Sequence, residues 1–179
     1  MVTVRADRAT VLTALAAAVH PAWEVVPRVA FIPRGQSLQE YLDRAARQMA
    51  ESQQTAVRVA SDYLHRDVGA VRFDVGEVSG PSAGAVFALE IVRQLAGGPP
   101  PPGVTVAASG MLLPDGRLAR VGGIRQKVVA AEAVGASYFV VPREEAEAAR
   151  AAARRIKVIP ADNVAEAVRA ISTAGEAPR

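Results

Sequence analysis

Residues 104–142 read VTVAASGMLLPDGRLARVGGIRQKVVAAEAVGASYFVVP, and several kinds of element succeed one another within them. Val104 to Ser109 is short, apolar and partly β-branched, as a buried strand requires. Leu112 to Leu118 encloses Pro114-Asp115-Gly116, in which proline presets φ and glycine takes the left-handed position, so a tight hairpin is predicted there. Gly123 to Val134 reads as a helix stopped by Gly135, and Tyr138 to Val141 as a second buried strand. This succession of strand, hairpin, helix and strand predicts a mixed α/β (α+β) domain: a mixed sheet, a β-hairpin and flanking helices.

The neighbouring segments extend the alternation. Towards the C-terminus lie an Ala/Glu/Arg helix from about Arg143 to Arg154, a short strand at Ile156 to Ile159, and a last helix to Ile171 capped by Asp162 or Asn163. Towards the N-terminus, Ser37 and Glu40 form a capping box. Apolar positions from Leu38 to Tyr63 then recur at helical spacing, so that helix reaches Leu64. Val68 to Val75 alternates like a strand and ends in Gly76. Ser82 to Leu95 reads as a helix closed by Gly97-Gly98, and Pro99 to Pro102 force a surface loop. The first 35 residues are ambiguous, with a short helix over Asp7 to Val19 and a loose strand over Ala22 to Ile32. The expected organisation is an N-terminal extension (1–36) packing on one domain (37–171), followed by a frayed tail (172–179).

Composition narrows the chemistry. The 179 residues contain no cysteine and two histidines, His20 and His65. Disulfides, thiol catalysis and thiolate metal sites are thereby removed, and neither a metal nor any other cofactor is expected. The net charge of +3 is carried by scattered arginines, and aromatic residues make up 4%. A nucleic-acid reader needs a denser basic stripe and rings to stack on, so no nucleic-acid partner is predicted. Val11 to Val19 is apolar but shorter than the ~20 residues that span a bilayer. It also lacks the pattern of a signal peptide. The expectation is a soluble, cytoplasmic chain with no membrane partner.

The candidate chemistry centres on Gly80-Pro81-Ser82-Ala83-Gly84 at the start of a helix. Glycine allows a sharp turn and close approach of a ligand, and proline suits a first helical position. Ser82 among outward N–H groups fits either a helix cap or a nucleophile facing an oxyanion site. Lys127, in Gly122-Gly123-Ile124-Arg125-Gln126-Lys127, shares a helical face with Ala130, Ala131 and Val134. Buried there, it would have a lowered pKa and could take a proton from a serine; with its head in water, it would be an ordinary snorkelling lysine. That helix is apolar nearly all round, so periodicity leaves both readings open.

Gly80 to Gly84 resembles the nucleophile motif of the Lon proteolytic domain, a family of serine–lysine peptidases, and Gly122 to Lys127 resembles its lysine motif. Met49-Ala50-Glu51-Ser52-Gln53 is similar to part of a helix preceding the catalytic strand of that family. Ser109-Gly110 resembles its Thr-Gly, and Gly135-Ala136 leading into Phe139-Val140-Val141-Pro142 resembles the strand after the lysine helix. The likeness covers residues 37–171 and is nearest to PDZ-linked Lon-like proteins, although no intact PDZ domain fits in residues 1–36. It implies Ser82 as nucleophile, Lys127 as general base and Ser109 as the hydroxyl that orients the lysine. Gly76, Glu77 and Gly80 would bind substrate, with Val71 to Glu77 pairing with an extended peptide.

This chain departs from the family pattern at Ser79 and Met111, where acidic residues are usual. It also carries no Gly-x4-Gly-Lys-Ser/Thr phosphate loop. The resemblance therefore implies an ATP-independent serine endopeptidase that cuts unfolded proteins or peptides, assembles as a homo-oligomeric ring with a hexamer as candidate, and relies on a separate unfoldase or delivery partner for folded substrates. The alternative is a catalytically inactive Lon-like interaction or oligomerisation module. A phosphotransferase reading of the Gly/Ser turn fails for want of a metal-binding acid and a nucleotide pocket.

Overall fold

In the computed structural model, the described residues are 10–17, 20, 23, 25–27, 32, 34–75, 80–97, 100 and 103–176. A short helix α1 (Val11–Ala17) precedes the long helix α2 (Leu38–Leu64), which opens with the Ser37/Glu40 capping box. His65 closes α2 in the left-handed conformation. After one 3-10 turn (Pro81–Ala83), α3 runs over Gly84–Ala96 and ends at Gly97, which has φ +64°. Then follow β1 (Val106–Ala108), the hairpin strands β2 (Met111–Leu112) and β3 (Leu118–Ala119), and α4 (Ile124–Ala133). The chain continues through β4 (Tyr138–Pro142), a 3-10 turn, α5 (Ala146–Ala152), β5 (Lys157–Ala161) and α6 (Val164–Glu176).

β1, β4 and β5 form a parallel sheet in that order, while β2 and β3 pair antiparallel, so the mixed α/β reading holds. Parallel strands linked by helices need cover on both faces, and period-2 alternation supplies it. Ala108, Val140, Ile159 and Ala161 pack with α2, α3 and α6. Their neighbours Ala107, Phe139 and Val141 point the other way, onto Ile124, Val128 and Ala131 of α4 and Ala146 and Ala149 of α5. Phe139, with no exposed surface, centres this second layer. The hairpin leans on the start of α6 through Leu118 N–H to the Asp162 carbonyl (2.8 Å) and a bridge between Arg117 and Asn163.

Two expectations change, one is narrowed and one lies largely outside the described residues. Val68 to Val75 is not a strand: Val71, Phe73 and Val75 pack on the core, yet the segment pairs with no strand among the described residues. Alternation reports which side is buried, whereas a strand also requires a neighbour for its ladder. The last helix runs past Ile171 to Glu176, because Ile171 and Ala174 pack inward and the Ala174 carbonyl accepts the Tyr138 hydroxyl (2.7 Å). Of the two candidate caps, Asn163 is the one that binds, accepting the Glu166 N–H (2.9 Å). The Ala22 to Ile32 strand falls largely outside the described residues. No helix among the described residues is long and apolar enough to cross a membrane.

Candidate active site

The turn at residues 80–84 is held from two sides. On the α2 side, Gly80 N–H donates to the Ala45 carbonyl (3.0 Å) and the Ser52 hydroxyl to the Pro81 carbonyl (3.4 Å). On the sheet side, Gly110 N–H donates to the Ser82 carbonyl (3.0 Å), and Ala85 N–H to the Gly110 carbonyl (3.2 Å). The two glycines have different physical reasons. Gly80 has φ +97° and ψ 163°, a backbone region nearly restricted to glycine. Gly84 is pressed so closely that a Cβ would stand 2.7 Å from Leu112 Cβ and 2.8 Å from Ser52 Oγ. Ser82 itself is half-buried on the first turn leading into α3.

Ser109 follows β1 directly, and its N–H continues the parallel ladder to the Val140 carbonyl (3.0 Å). It therefore lies at the C-terminal end of the sheet, where ligand sites of open α/β sheets lie. Lys127 projects from the buried face of α4 with Ile124, Val128 and Ala131. Val134, expected on the same face, is 73% exposed. Lys127 is 4% exposed, so its head does not reach water by snorkelling. Its ammonium donates to the Ser109 hydroxyl at 3.1 Å, and that hydroxyl makes a long 3.5 Å contact with the Ser82 carbonyl.

Ser82, Ser109 and Lys127 are thus brought to one place by α3, β1 and α4. Among the described residues, the Lys127 amine is hydrogen-bonded to Ser109 and not to the Ser82 hydroxyl. Gly80 borders the same turn; Gly76 and Glu77 lie outside the described residues. The sequence reading missed Glu145, which is 4% exposed and accepts the Val121 N–H at 3.0 Å. Its only signal was an acidic residue just after a buried strand. Burial pushes Lys127 below the usual lysine range, opposed by the negative charge of Glu145. Burial likewise pushes the Glu145 carboxyl up, against the pull of the Val121 N–H, Arg120 and Lys127. Of the alanines at 146–153, Ala146 and Ala149 are buried against α4, while Ala148 and Ala151 are exposed. Among the described residues, no three His, Asp or Glu side chains converge as metal ligands.

Comparison with known proteins identifies the family. The model of the Lon protease (S16) C-terminal proteolytic domain matches residues 37–173. The chain therefore belongs to the Lon proteolytic domain family. It is 38% identical over 85 residues to the mitochondrial Lon protease homolog of Candida glabrata, covering 48% of this chain and 8% of that protein. It is 37% identical over 82 residues to the Aspergillus niger mitochondrial homolog, covering 46% of this chain and 7% of that one. The Lon protease of Clostridioides difficile is 34% identical over 82 residues, covering 46% of this chain and 10% of that protein. These matches span a tenth or less of each relative's length.

Proposed function

We propose that this domain is an ATP-independent serine endopeptidase in which Ser82 is the nucleophile and Lys127 the general base. The observation that carries the reading is a buried lysine amine, hydrogen-bonded to one serine hydroxyl, beside the glycine-framed turn of another. A neutral amine keeps two donor hydrogens and one lone pair. With one hydrogen on Ser109, the lone pair is left for the Ser82 proton, and burial lowers the cost of holding Lys127 neutral.

In this mechanism Lys127 takes the Ser82 Oγ proton as Oγ bonds to the peptide carbonyl carbon. The oxyanion is met by backbone N–H groups of the turn that carries Ser82. Lys127 then passes the proton to the departing amine, leaving an acyl-enzyme. Water, deprotonated by Lys127, attacks the ester; the acid leaves and Oγ regains its proton. For this step the Ser82 hydroxyl has to come within hydrogen-bond reach of the Lys127 amine, which in this structure is bonded to Ser109. The segment 71–75, packed on the core and without a strand partner among the described residues, supports pairing of an extended substrate. Unfolded proteins and peptides are the substrates this reading names, Gly76, Glu77 and Gly80 would contact them, and ring assembly belongs to the same reading.

The test is cleavage of casein without ATP by the parent chain, Ser82→Ala and Lys127→Ala. Cleavage by the parent and background levels in both variants are expected. Activity surviving both substitutions overturns the dyad. Absence of parental cleavage across pH 7–10 favours an inactive interaction module. Sedimentation of the same samples reports the assembly.

A further inference from the structure

Two successive carboxylates leave the end of β4 and take two successive backbone N–H groups from the segment entering α4. Glu144 accepts the Arg120 N–H and Glu145 the Val121 N–H, each at 3.0 Å. Their settings differ. Glu144 is exposed, whereas Glu145 is buried. An N–H near the surface can be satisfied by water, so this tether does not by itself require a buried charge, which is expensive to desolvate.

Something else has to account for the burial. Among the described residues, Lys127 and Glu145 are the two buried ionisable side chains. They carry opposite charge and sit on packed elements: the face of α4 bearing Lys127 lies on Ala146 and Ala149, directly after Glu145. The groups that act electrostatically on Glu145 are Arg120, Lys127 and Glu144, and on Lys127, Glu145.

We propose that Glu145 is a positioning residue for Lys127, holding the entrance of the lysine helix through Val121 and setting a negative charge against the lysine amine. The proposal rests on the peptidase reading for its catalytic meaning. The charge stabilises the ammonium that forms while Lys127 carries the Ser82 proton, as a buried carboxylate stabilises an imidazolium in histidine-based triads. It also keeps Lys127 protonated to a higher pH than burial alone would allow.

The chain has two lysines, Lys127 and Lys157, so labelling lysine with 13C at Cε gives two resonances, one of them an internal reference. Glu145→Gln keeps an oxygen for the Val121 N–H and removes the charge; Glu145→Asp keeps the charge on a shorter arm. The expected result for Glu145→Gln is a downward shift of the Lys127 midpoint. The acid limb of the casein pH–rate profile should shift the same way, with kcat lower by roughly 10-fold or more. Glu145→Asp should lie nearer the parent in both. An unchanged Lys127 midpoint in Glu145→Gln overturns the proposal even if activity falls, because a purely structural tether would not move it. If the parent cleaves nothing, the peptidase reading fails, while the resonance still decides whether Glu145 acts on Lys127.

Discussion

The Lys127 amine meets the Ser109 hydroxyl at 3.1 Å, with 4% and 1% of the two residues exposed. A donor this deeply buried has no water to replace a lost partner. Ser109→Ala is therefore expected to cost about 1–3 kcal/mol by urea unfolding. On the peptidase reading, casein cleavage falls with it. Ser109→Thr keeps the hydroxyl, and its extra methyl costs about 1 kcal/mol of overpacking. Equal activity in the Ala and Thr variants would remove Ser109 from the site.

Stability should depend on pH through the same lysine. Burial sets its folded pKa below the usual 10.5. Between the folded pKa and 10.5 the unfolded chain binds more protons, so the Lys127 contribution to stability rises with pH across that window. The penalty is complete below the folded pKa. Glu145 works in the opposite sense: its folded pKa lies above 4.5, so its favourable contribution is lost as pH rises through that folded value. Lys127→Met should remove the alkaline rise in parallel urea titrations of variant and parent. A difference between the two that does not vary with pH would contradict this account.

Two glycine substitutions separate backbone strain from packing. Gly84→Ala drives a methyl against Leu112 Cβ and Ser52 Oγ, with Leu112 N at 3.0 Å. A loss of about 1–3 kcal/mol is expected, and activity should fall because the Ser82 turn must shift. At Gly80 nothing lies within 4 Å of a new Cβ, so only the φ of +97° resists alanine. That cost is about 1–3 kcal/mol, and Gly80→Ala should relax the turn without disturbing Leu112. Crystal structures of the two variants would tell the effects apart.

Glu132, in the last turn of α4, provides a control whose hydrogen bonds go to residues 154–156 and not to the serines. Its Oε1 accepts the N–H groups of Arg154, Arg155 and Ile156 at 2.7, 2.6 and 3.0 Å, joining α4 to the approach to β5. Glu132→Ala should lower stability by about 1–3 kcal/mol, while cleavage per folded molecule stays near the parental value. Thermal melts and casein assays on one preparation check both.

Much of the architecture was legible because it rests on local rules. Ser37 and Glu40 announced α2, Pro114-Asp115-Gly116 the hairpin, and Gly97 and Gly135 the stops of α3 and α4; each acts through neighbours in the chain. The apolar runs at 106–108 and 138–142 proved to be parallel neighbours with opposite faces covered. Val71, Phe73 and Val75 misled because alternation records burial, whereas strand pairing needs a neighbour that no local pattern records.

At the candidate site, the sequence by itself determined the residue types and their order: a glycine-framed serine, a second serine after a strand, and a lysine after a glycine pair. The helix of Lys127 is apolar nearly all round, so buried base and snorkelling cation were equal readings. Tertiary structure decided between them by closing α4 against the sheet and α5, which leaves the amine the Ser109 hydroxyl as partner in place of water. It alone brought forward Glu145, whose burial and bond to the Val121 N–H depend on packed elements and on no local pattern. Hydrogen-bond partners and dielectric are set by what packs around a side chain, and packing is a property of the folded chain.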